Sequence, residues 1–266
     1  MLGEDIFDLK GRVALVTGAG QGVGRAIALA LAGRGAGGII INDVDAARAA
    51  AVVREIEEMG VRAHAMLADV GDLAQVRAGV AQAEAALGPI AILVNNAGNA
   101  GPQGFTGFPL FWESDPAHWH RYLYVNLLGV MNCCHALLPG MVERGYGRIV
   151  TVISDAARNL EGRQAEYAAA KAGASGFMRS LAADAARFGV TANCVAIATI
   201  RPELPEPDLT AFLSSDRAKA QLSRYPIRRH GLPEDIVGTV LLLASDAASW
   251  TTGQTYPVNG GYSSSL

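Results

Sequence analysis

The stretch RVALVTGAGQGVGRAIALALA, Arg12 to Ala32, decides the architecture. It opens as an apolar, β-rich run, RVALVT (Arg12–Thr17), and closes as an alanine- and leucine-rich segment of helical period. TGAGQGVG (Thr17–Gly24) joins the two, and its glycines let the backbone turn tightly from strand into helix. The free N–H groups at such a helix start suit an anion such as a pyrophosphate. The spacing G-x-G-x-x-G does not fit, because Val23 stands where its third glycine belongs. Gly18, Gly22 and Gly24 keep the spacing T-G-x-x-x-G-x-G instead. A glycine turn alone suits any tight strand–helix junction, so its neighbours must decide what it does.

The same alternation continues along the chain. Strand-like runs are GGIIIN (Gly37–Asn42), VRAHAML (Val61–Leu67), IAILVN (Ile90–Asn95), GRIVTVIS (Gly147–Ser154) and VTANCVAI (Val190–Ile197). Helical periods fall near 22–34, 45–59, 72–87, 115–143 and 165–188. Alternating β and α segments predict an α/β fold, a doubly wound parallel sheet with helices on both faces. The nearly continuous apolar strands agree, since such a sheet is covered on both sides. After Ile197 the rhythm breaks into the proline-rich ATIRPELPEPDL, a loop by composition. A helical piece, PEDIVGTVLLLASD and a last short strand in GQTYPVNGG follow. No linker or repeat divides residues 1–266, so one domain is expected.

Composition narrows the function classes. Half of the residues are hydrophobic and 18% are charged, which predicts a large core rather than disorder. A net charge of −3 supplies no basic field, so nucleic acid is not an expected partner. The N-terminal MLGEDIFDLKGR lacks a hydrophobic signal core, and no continuous apolar run has the length of a membrane span. A soluble, cytoplasmic protein without a membrane partner is expected. Cys133, Cys134 and Cys194 offer no disulfide or zinc framework and read as small buried residues. The histidines form no ligand set, and no metal is expected.

Two further features carry chemistry. Asp43 follows the second strand in IIINDVD, where an acid accepts hydrogen bonds from an adenosine ribose or caps the next helix; Asp45 serves as that cap equally well. YAAAK, Tyr167 to Lys171, places a phenol and an ammonium one turn apart on a helix face, with Ser154 upstream. Taken alone, the pair reads as two amphipathic side chains reaching from a helix.

The TGAGQGVG turn, NNAG (Asn95–Gly98) and the spacing Ser154…Tyr167-x-x-x-Lys171 together resemble the short-chain dehydrogenase/reductase family. The likeness extends through LADV (Leu67–Val70), VNLLG (Val125–Gly129), GRIVTVIS, YAAAKAG and TGQTYPVNGG, essentially the whole chain. It implies a Rossmann-type fold and an NAD-dependent oxidoreductase acting on a secondary alcohol or ketone, with homotetrameric assembly. Ser154, Tyr167 and Lys171 would be catalytic, with Asn126 holding a water that relays protons to Lys171. Gly18, Gln21, Gly22, Val23 and Gly24 would line the dinucleotide, with Asp43 at its ribose and Asp69 and Val70 beside its adenine. Asn95, Asn96, Ala97 and Gly98 would lie near the ribose groups, and Tyr167, Lys171 and Ile200 near the nicotinamide end.

The chemistry implied is oxidation or reduction at CH–OH. Tyrosine's ordinary pKa of about 10 is high for a base at neutral pH. The neighbouring ammonium, aided by an oxidised nicotinamide, is expected to lower it by about two units and favour the phenolate. Ser154 would polarise the substrate oxygen. The chain departs from the family after the sixth strand, where Ile197 and Ala198 occupy the Pro-Gly positions and Pro202 stands in place of a threonine. This segment is expected to form a substrate lid near 198–225. Phe105, Phe108, Phe111 and Trp112, in an unusually long link after NNAG, are expected to wall an apolar pocket or form a local cluster or subunit contact. Arg158 and Arg163 stand near the substrate entrance and are read as carboxylate ligands or surface ion pairs. The runner-up activity is a 3-oxoacyl thioester reductase; the rival from another class is a cofactor-binding regulatory protein without turnover. Arg48 is the nearest cation to the ribose corner and is read as lying about a turn into its helix, too far to offset the charge of an additional ribose phosphate.

Overall fold

The computed structural model describes residues 5–98 and 109–264. Seven strands form one sheet: β1 (Val13–Thr17), β2 (Gly38–Asp43), β3 (Ala63–Leu67), β4 (Ile90–Asn95), β5 (Gly147–Ser154), β6 (Val190–Ile197) and β7 (Thr255–Val258). Their order is β3-β2-β1-β4-β5-β6-β7, and every pairing is parallel. The expected alternation and the doubly wound sheet are therefore present. The central strands are buried along almost their whole length because helices cover both faces.

One face is covered by α1 (Gly22–Ala32), α2 (Ala46–Glu58) and α9 (Pro233–Ala244), around Leu31, Ile41, Ile56, Val94 and Val240. The other carries α3 (Leu73–Leu87), α5 (Gly129–Glu143) and α6 (Ala165–Ala185), around Leu15, Val76, Leu93, Leu137 and Met178. Cys133, Cys134 and Cys194 lie in or beside the second cluster, buried as expected, and burial pushes their thiol pKa values up. Strand order reverses between β1 and β4, so the loops after these strands diverge and open a crevice at the carboxyl edge of the sheet.

The expected helix over 115–143 is interrupted. α4 (Pro116–Leu123) passes through a π-helical turn, Tyr124–Leu128, before α5 starts. A π turn widens the backbone by one residue and re-aims a side chain, here the fully buried Asn126. The mean hydropathy of Pro116–Glu143 meets the composition of a membrane span, although it contains no unbroken apolar run. α5 is nonetheless packed on α3 and β4 and carries Asn132, which donates to the Val70 and Gly71 carbonyls at 2.9 Å each. Beyond β6 the expected lid region contains α7 (Asp208–Ser214) and α8 (Asp216–Ser223).

At the amino edge of the sheet, distant parts of the chain converge on Asp246. Lys10 and Arg12 reach its Oδ2 at 3.0 Å each, while Tyr146 and Arg148 reach its Oδ1 at 3.0 and 3.3 Å. The Tyr146 ring lies between the Arg12 and Arg148 guanidinium groups, 4.0 and 4.2 Å from its centroid. Burial opposes ionisation of Asp246, but hydrogen bonds from Lys10, Arg12 and Tyr146 outweigh it and hold the carboxyl at about 2. Asp246→Asn should cost about 2 kcal/mol at neutral pH, because it leaves the buried Arg148 without its counter-charge. A folded-state pKa below the ordinary range contributes stability above that range and loses it as pH falls toward about 2. The deficit, read as a fall in Tm by calorimetry, should therefore shrink in acid.

Candidate active site

β5 ends at Ser154, and α6 brings Tyr167 and Lys171 back over it. The alanines of YAAAK propagate the helix without bulk, so both side chains emerge one turn apart on the sheet-facing side. Tyr167 is hydrogen-bonded to Ser154, whose Oγ also accepts from Ala156 N–H at 3.2 Å. Lys171 lies deeper, 5% exposed, and its Nζ donates to the Val152 carbonyl at 3.0 Å. Asn126 donates from Nδ2 to the Tyr122 carbonyl at 2.9 Å, and the Tyr122 ring meets Tyr167 edge-on with centroids 6.2 Å apart. Gly98 closes the cluster. A Cβ there would lie 2.9 Å from both Asn126 Oδ1 and Lys171 Nζ, so any larger residue would have to push these two side chains aside.

Among the protein's own groups, burial dominates the electrostatics of Tyr167. Burial pushes the Tyr167 pKa up, against a smaller lowering by the Ser154 hydrogen bond. The ammonium does not reverse this, because Nζ is 5.9 Å from the Tyr167 ring centroid and is held by Val152. Burial also lowers Lys171 itself to about 8. Both charged forms lose hydration in the same enclosed site, so the neutral phenol is the form the protein's own groups favour at neutral pH.

Ser154 and Tyr167 open on a cavity of about 470 Å³. Its farther wall includes Phe212, Arg224, Tyr225 and Tyr262, so the α7–α8 segment does border it. Arg224 bridges to Glu161 at 3.4 Å across the cavity. Neither Phe111 nor Trp112 is among the lining residues: Phe111 stacks on Trp119 with centroids 5.1 Å apart, and Trp112 is 78% exposed. Phe105 and Phe108 lie outside the described residues. Arg158 is 3.5 Å from the buried Asp155 carboxylate.

The crevice between β1 and β4 is built from the glycine turn and NNAG. Thr17 Oγ1 accepts from the Asn96 and Ala97 N–H groups at 3.0 Å each, and Asn96 Nδ2 donates to the Thr17 and Gly18 carbonyls at 3.0 and 3.1 Å. A Cβ at Gly18 would come within 2.8 Å of Ala97 Cα, and one at Gly24 within 2.3 Å of the Gly18 oxygen. Gln21 is exposed at the start of α1, with Gly22 and Val23 half-buried behind it. Asp69 accepts from Gly71 N–H at 2.9 Å, beside the buried Val70. Asn95, expected near the ribose groups, points its side chain into the sheet instead, donating to Thr151 Oγ1 at 3.2 Å. Ile200 forms a bridge with Gly231 that uses the backbone groups of Thr199 and Arg201, not its own.

Asp45 caps α2 by accepting from Arg48 N–H at 2.9 Å, which frees Asp43 from that duty. Asp43 is 7% exposed and accepts from the Gly20 and Asp45 N–H groups at 3.0 Å each. Arg48 is not too far to reach this corner: its guanidinium donates to Asp43 Oδ1 and Gln21 Oε1 at 3.1 Å each. Its side chain folds back over the first turn of α2, a reach that residue spacing does not reveal. These residues fit a dinucleotide. A helix start free of its own acidic cap, a buried carboxylate beyond it and the Ser154–Tyr167–Lys171 cluster lie along one carboxyl edge. A nicotinamide bound there supplies the hydride acceptor or donor.

The family model described as short chain dehydrogenase matches residues 12–209. The chain belongs to this family. It is similar to the 3-oxoacyl-(acyl-carrier-protein) reductase of Escherichia coli, 36% identical over 96% of this chain and 98% of the relative. It is 40% identical to a subunit of a hydroxy(phenyl)methylsuccinyl-CoA dehydrogenase from Thauera aromatica, over 96% and 98% of the two chains. A gluconate 5-dehydrogenase from Burkholderia cenocepacia, solved with NADP and tartrate, superposes with a TM-score of 0.88 at 35% identity, covering 98% and 99%. The short chain dehydrogenase described here is thus an oxidoreductase acting on a CH–OH group or ketone with a nicotinamide cofactor.

Sequence reasoning missed three supports of the site. Thr17 ends β1, and its hydroxyl also ties the glycine turn to NNAG. Asp155 accepts from Asn259 and Ser263 at 2.7 and 3.0 Å and so joins the Ser154 loop to the C-terminal segment. Arg48 was misplaced. Each acts through a contact distant in sequence or through a long side chain, so no local pattern signals it.

If Tyr167 is the proton donor and Lys171 its charge partner, ketone reduction needs the first protonated and the second cationic. As pH rises Lys171 deprotonates first, since burial has lowered its pKa to about 8 while raising that of Tyr167. The kcat/KM for reduction, which reports the free enzyme's groups, should be level at neutral pH and fall through about pH 8; a profile flat to pH 10 or so would contradict this assignment.

Proposed function

We propose that this short chain dehydrogenase uses NAD(H) to interconvert a secondary alcohol and its ketone, with Tyr167 as general acid and base. The observation that carries the reading is the pairing of Ser154 and Tyr167 on the wall of one cavity, with Asn126 and Gly98 gathered around the buried Lys171 ammonium one turn along α6. Ser154 holds the substrate oxygen, Tyr167 gives or takes its proton, and Lys171 holds the nicotinamide ribose and the charge balance. Asn126 orders a proton-relaying water beside Lys171. The raised Tyr167 pKa makes reduction the direction that the protein's own groups suit at neutral pH.

For the cofactor, Gly18, Gln21, Gly22, Val23 and Gly24 take the pyrophosphate end, and Asp69 and Val70 flank the adenine. Asn96, Ala97, Gly98 and Ile200 contribute to the ribose and nicotinamide end. Asp43 favours NAD, because its buried carboxylate faces the position of an additional ribose phosphate. Arg48 beside it offsets part of that repulsion. The chain functions as one domain with residues 198–225 as substrate lid, in the cytoplasm, as a homotetramer. The exposed Leu123, Leu128 and Met131 support such assembly, since they leave an apolar helix face to be covered.

A second reading, reduction of a 3-oxoacyl thioester, is favoured by two relatives whose names carry acyl thioesters. A panel of free ketones and thioesters, followed by nicotinamide absorbance, separates the two. No turnover with either class would support a cofactor-binding regulatory protein.

In either reading Tyr167→Phe should lower kcat by about a hundredfold or more, the usual worth of general acid–base catalysis, with cofactor Kd little changed. Near-normal turnover would remove Tyr167 from the mechanism. The unmodified enzyme should prefer NADH to NADPH by about tenfold in kcat/KM, equivalent to about 1.4 kcal/mol. Asp43→Ala should narrow that ratio and Arg48→Ala widen it; equal ratios in all three proteins would show that this corner does not select the cofactor.

A further inference from the structure

α1 starts without an acid of its own. Gln21 makes no side-chain cap, and no acidic residue stands in the first turn. The N–H groups of a helix start still require partners. One comes from far along the chain: Glu203 Oε2 accepts from Gly22 N–H at 3.1 Å. Arg25, one turn into α1 and held chiefly by Glu55, also feels the Glu203 charge. Around Gly22 the surface is open, since a Cβ built there would meet no atom within 4 Å. A carboxylate from the segment after β6 is therefore docked on the backbone group that a dinucleotide phosphate would use.

Two anions cannot share that N–H. We infer that Glu203 and the cofactor's pyrophosphate compete for the amino end of α1, so that cofactor binding ejects Glu203. The consequence reaches the substrate cavity. Glu203 lies between the Ile200–Gly231 bridge, which anchors the segment to the body of the protein, and α7–α8. α7 and the turn into α8 contribute Phe212 and Ser215 to the cavity wall, and α8 contributes Gln221. Release of Glu203 from the glycine turn therefore removes a tie between the cofactor crevice and the segment that leads into the cavity wall. Glu203 is a positioning residue that couples cofactor arrival to the shape of that cavity. The inference rests on the dinucleotide reading of the glycine turn.

The test is binding of NADH and of adenosine to the full chain, by nicotinamide fluorescence and calorimetry, in the unmodified protein, Glu203→Gln and Glu203→Ala. Glu203 is exposed, and thermal unfolding verifies that both variants fold. NADH should bind about threefold to tenfold more tightly in both variants, the scale of one charge at a helix N-terminus. Adenosine, which carries no phosphate, should bind equally to all three proteins. Unchanged or weaker NADH binding in the variants overturns the inference while leaving the dinucleotide reading in place, and so does an equal gain for adenosine. An unmodified protein that fails to bind NADH overturns the dinucleotide reading, and this inference with it.

Discussion

The candidate site depends on a lysine ammonium held out of water. Lys171 is 5% exposed and donates to one backbone carbonyl, Val152, inside the sheet. An ammonium so placed is costly, and its lowered pKa expresses that cost. Much of the local architecture serves to keep it there. β5 supplies the carbonyl, α6 the lysine, the π turn the buried Asn126, and Gly98 the close backbone approach that closes the fourth side. The enclosure has a second effect. It raises Tyr167 as it lowers Lys171, so the neutral form of each is favoured and the lysine gives up its proton before the phenol does.

The other end of the crevice follows a different logic. Here the chain uses backbone rather than side chains: Gly18 and Gly24 permit contacts with Ala97 and with the turn itself that a methyl group would forbid. Thr17 and Asn96 lock the turn to the loop after β4, so the strand-order reversal becomes a rigid slot. The charges are arranged around that slot rather than inside it. Asp43 is buried and neutralised in part by Arg48, and Glu203 reaches in from the lid segment. This arrangement makes cofactor affinity sensitive to residues outside the glycine turn.

Periodicity and turn chemistry were enough to read the strands, their parallel arrangement and most helices, because each rests on local physics: alternating apolar blocks, glycine junctions and alanine-rich helices. The same local rules placed Ser154 at a strand end and Tyr167 and Lys171 on one helix face. What they could not supply was the environment. A spacing of four residues says that phenol and ammonium are neighbours, but their burial is set by α4, the π turn and NNAG, which come from elsewhere in the chain. The expected lowering of Tyr167 rests on Lys171 together with an oxidised nicotinamide; among the protein's own groups, desolvation, a property of the assembled site, exceeds the pairwise attraction inferred from spacing. Arg48 was misjudged similarly, since its backbone lies a turn into α2 while its guanidinium returns to Asp43.

The sequence by itself determined the α/β alternation, the glycine junction and the residue types available at the carboxyl edge of the sheet. Tertiary structure alone decided which of them meet. It bonded the Asn95 side chain to Thr151 inside the sheet, made Asp43 a buried acceptor, and set Glu203 on α1 from 181 positions away. Backbone preference acts over a few residues, whereas burial and charge act through space, and the chain's path through space is not written in any one segment.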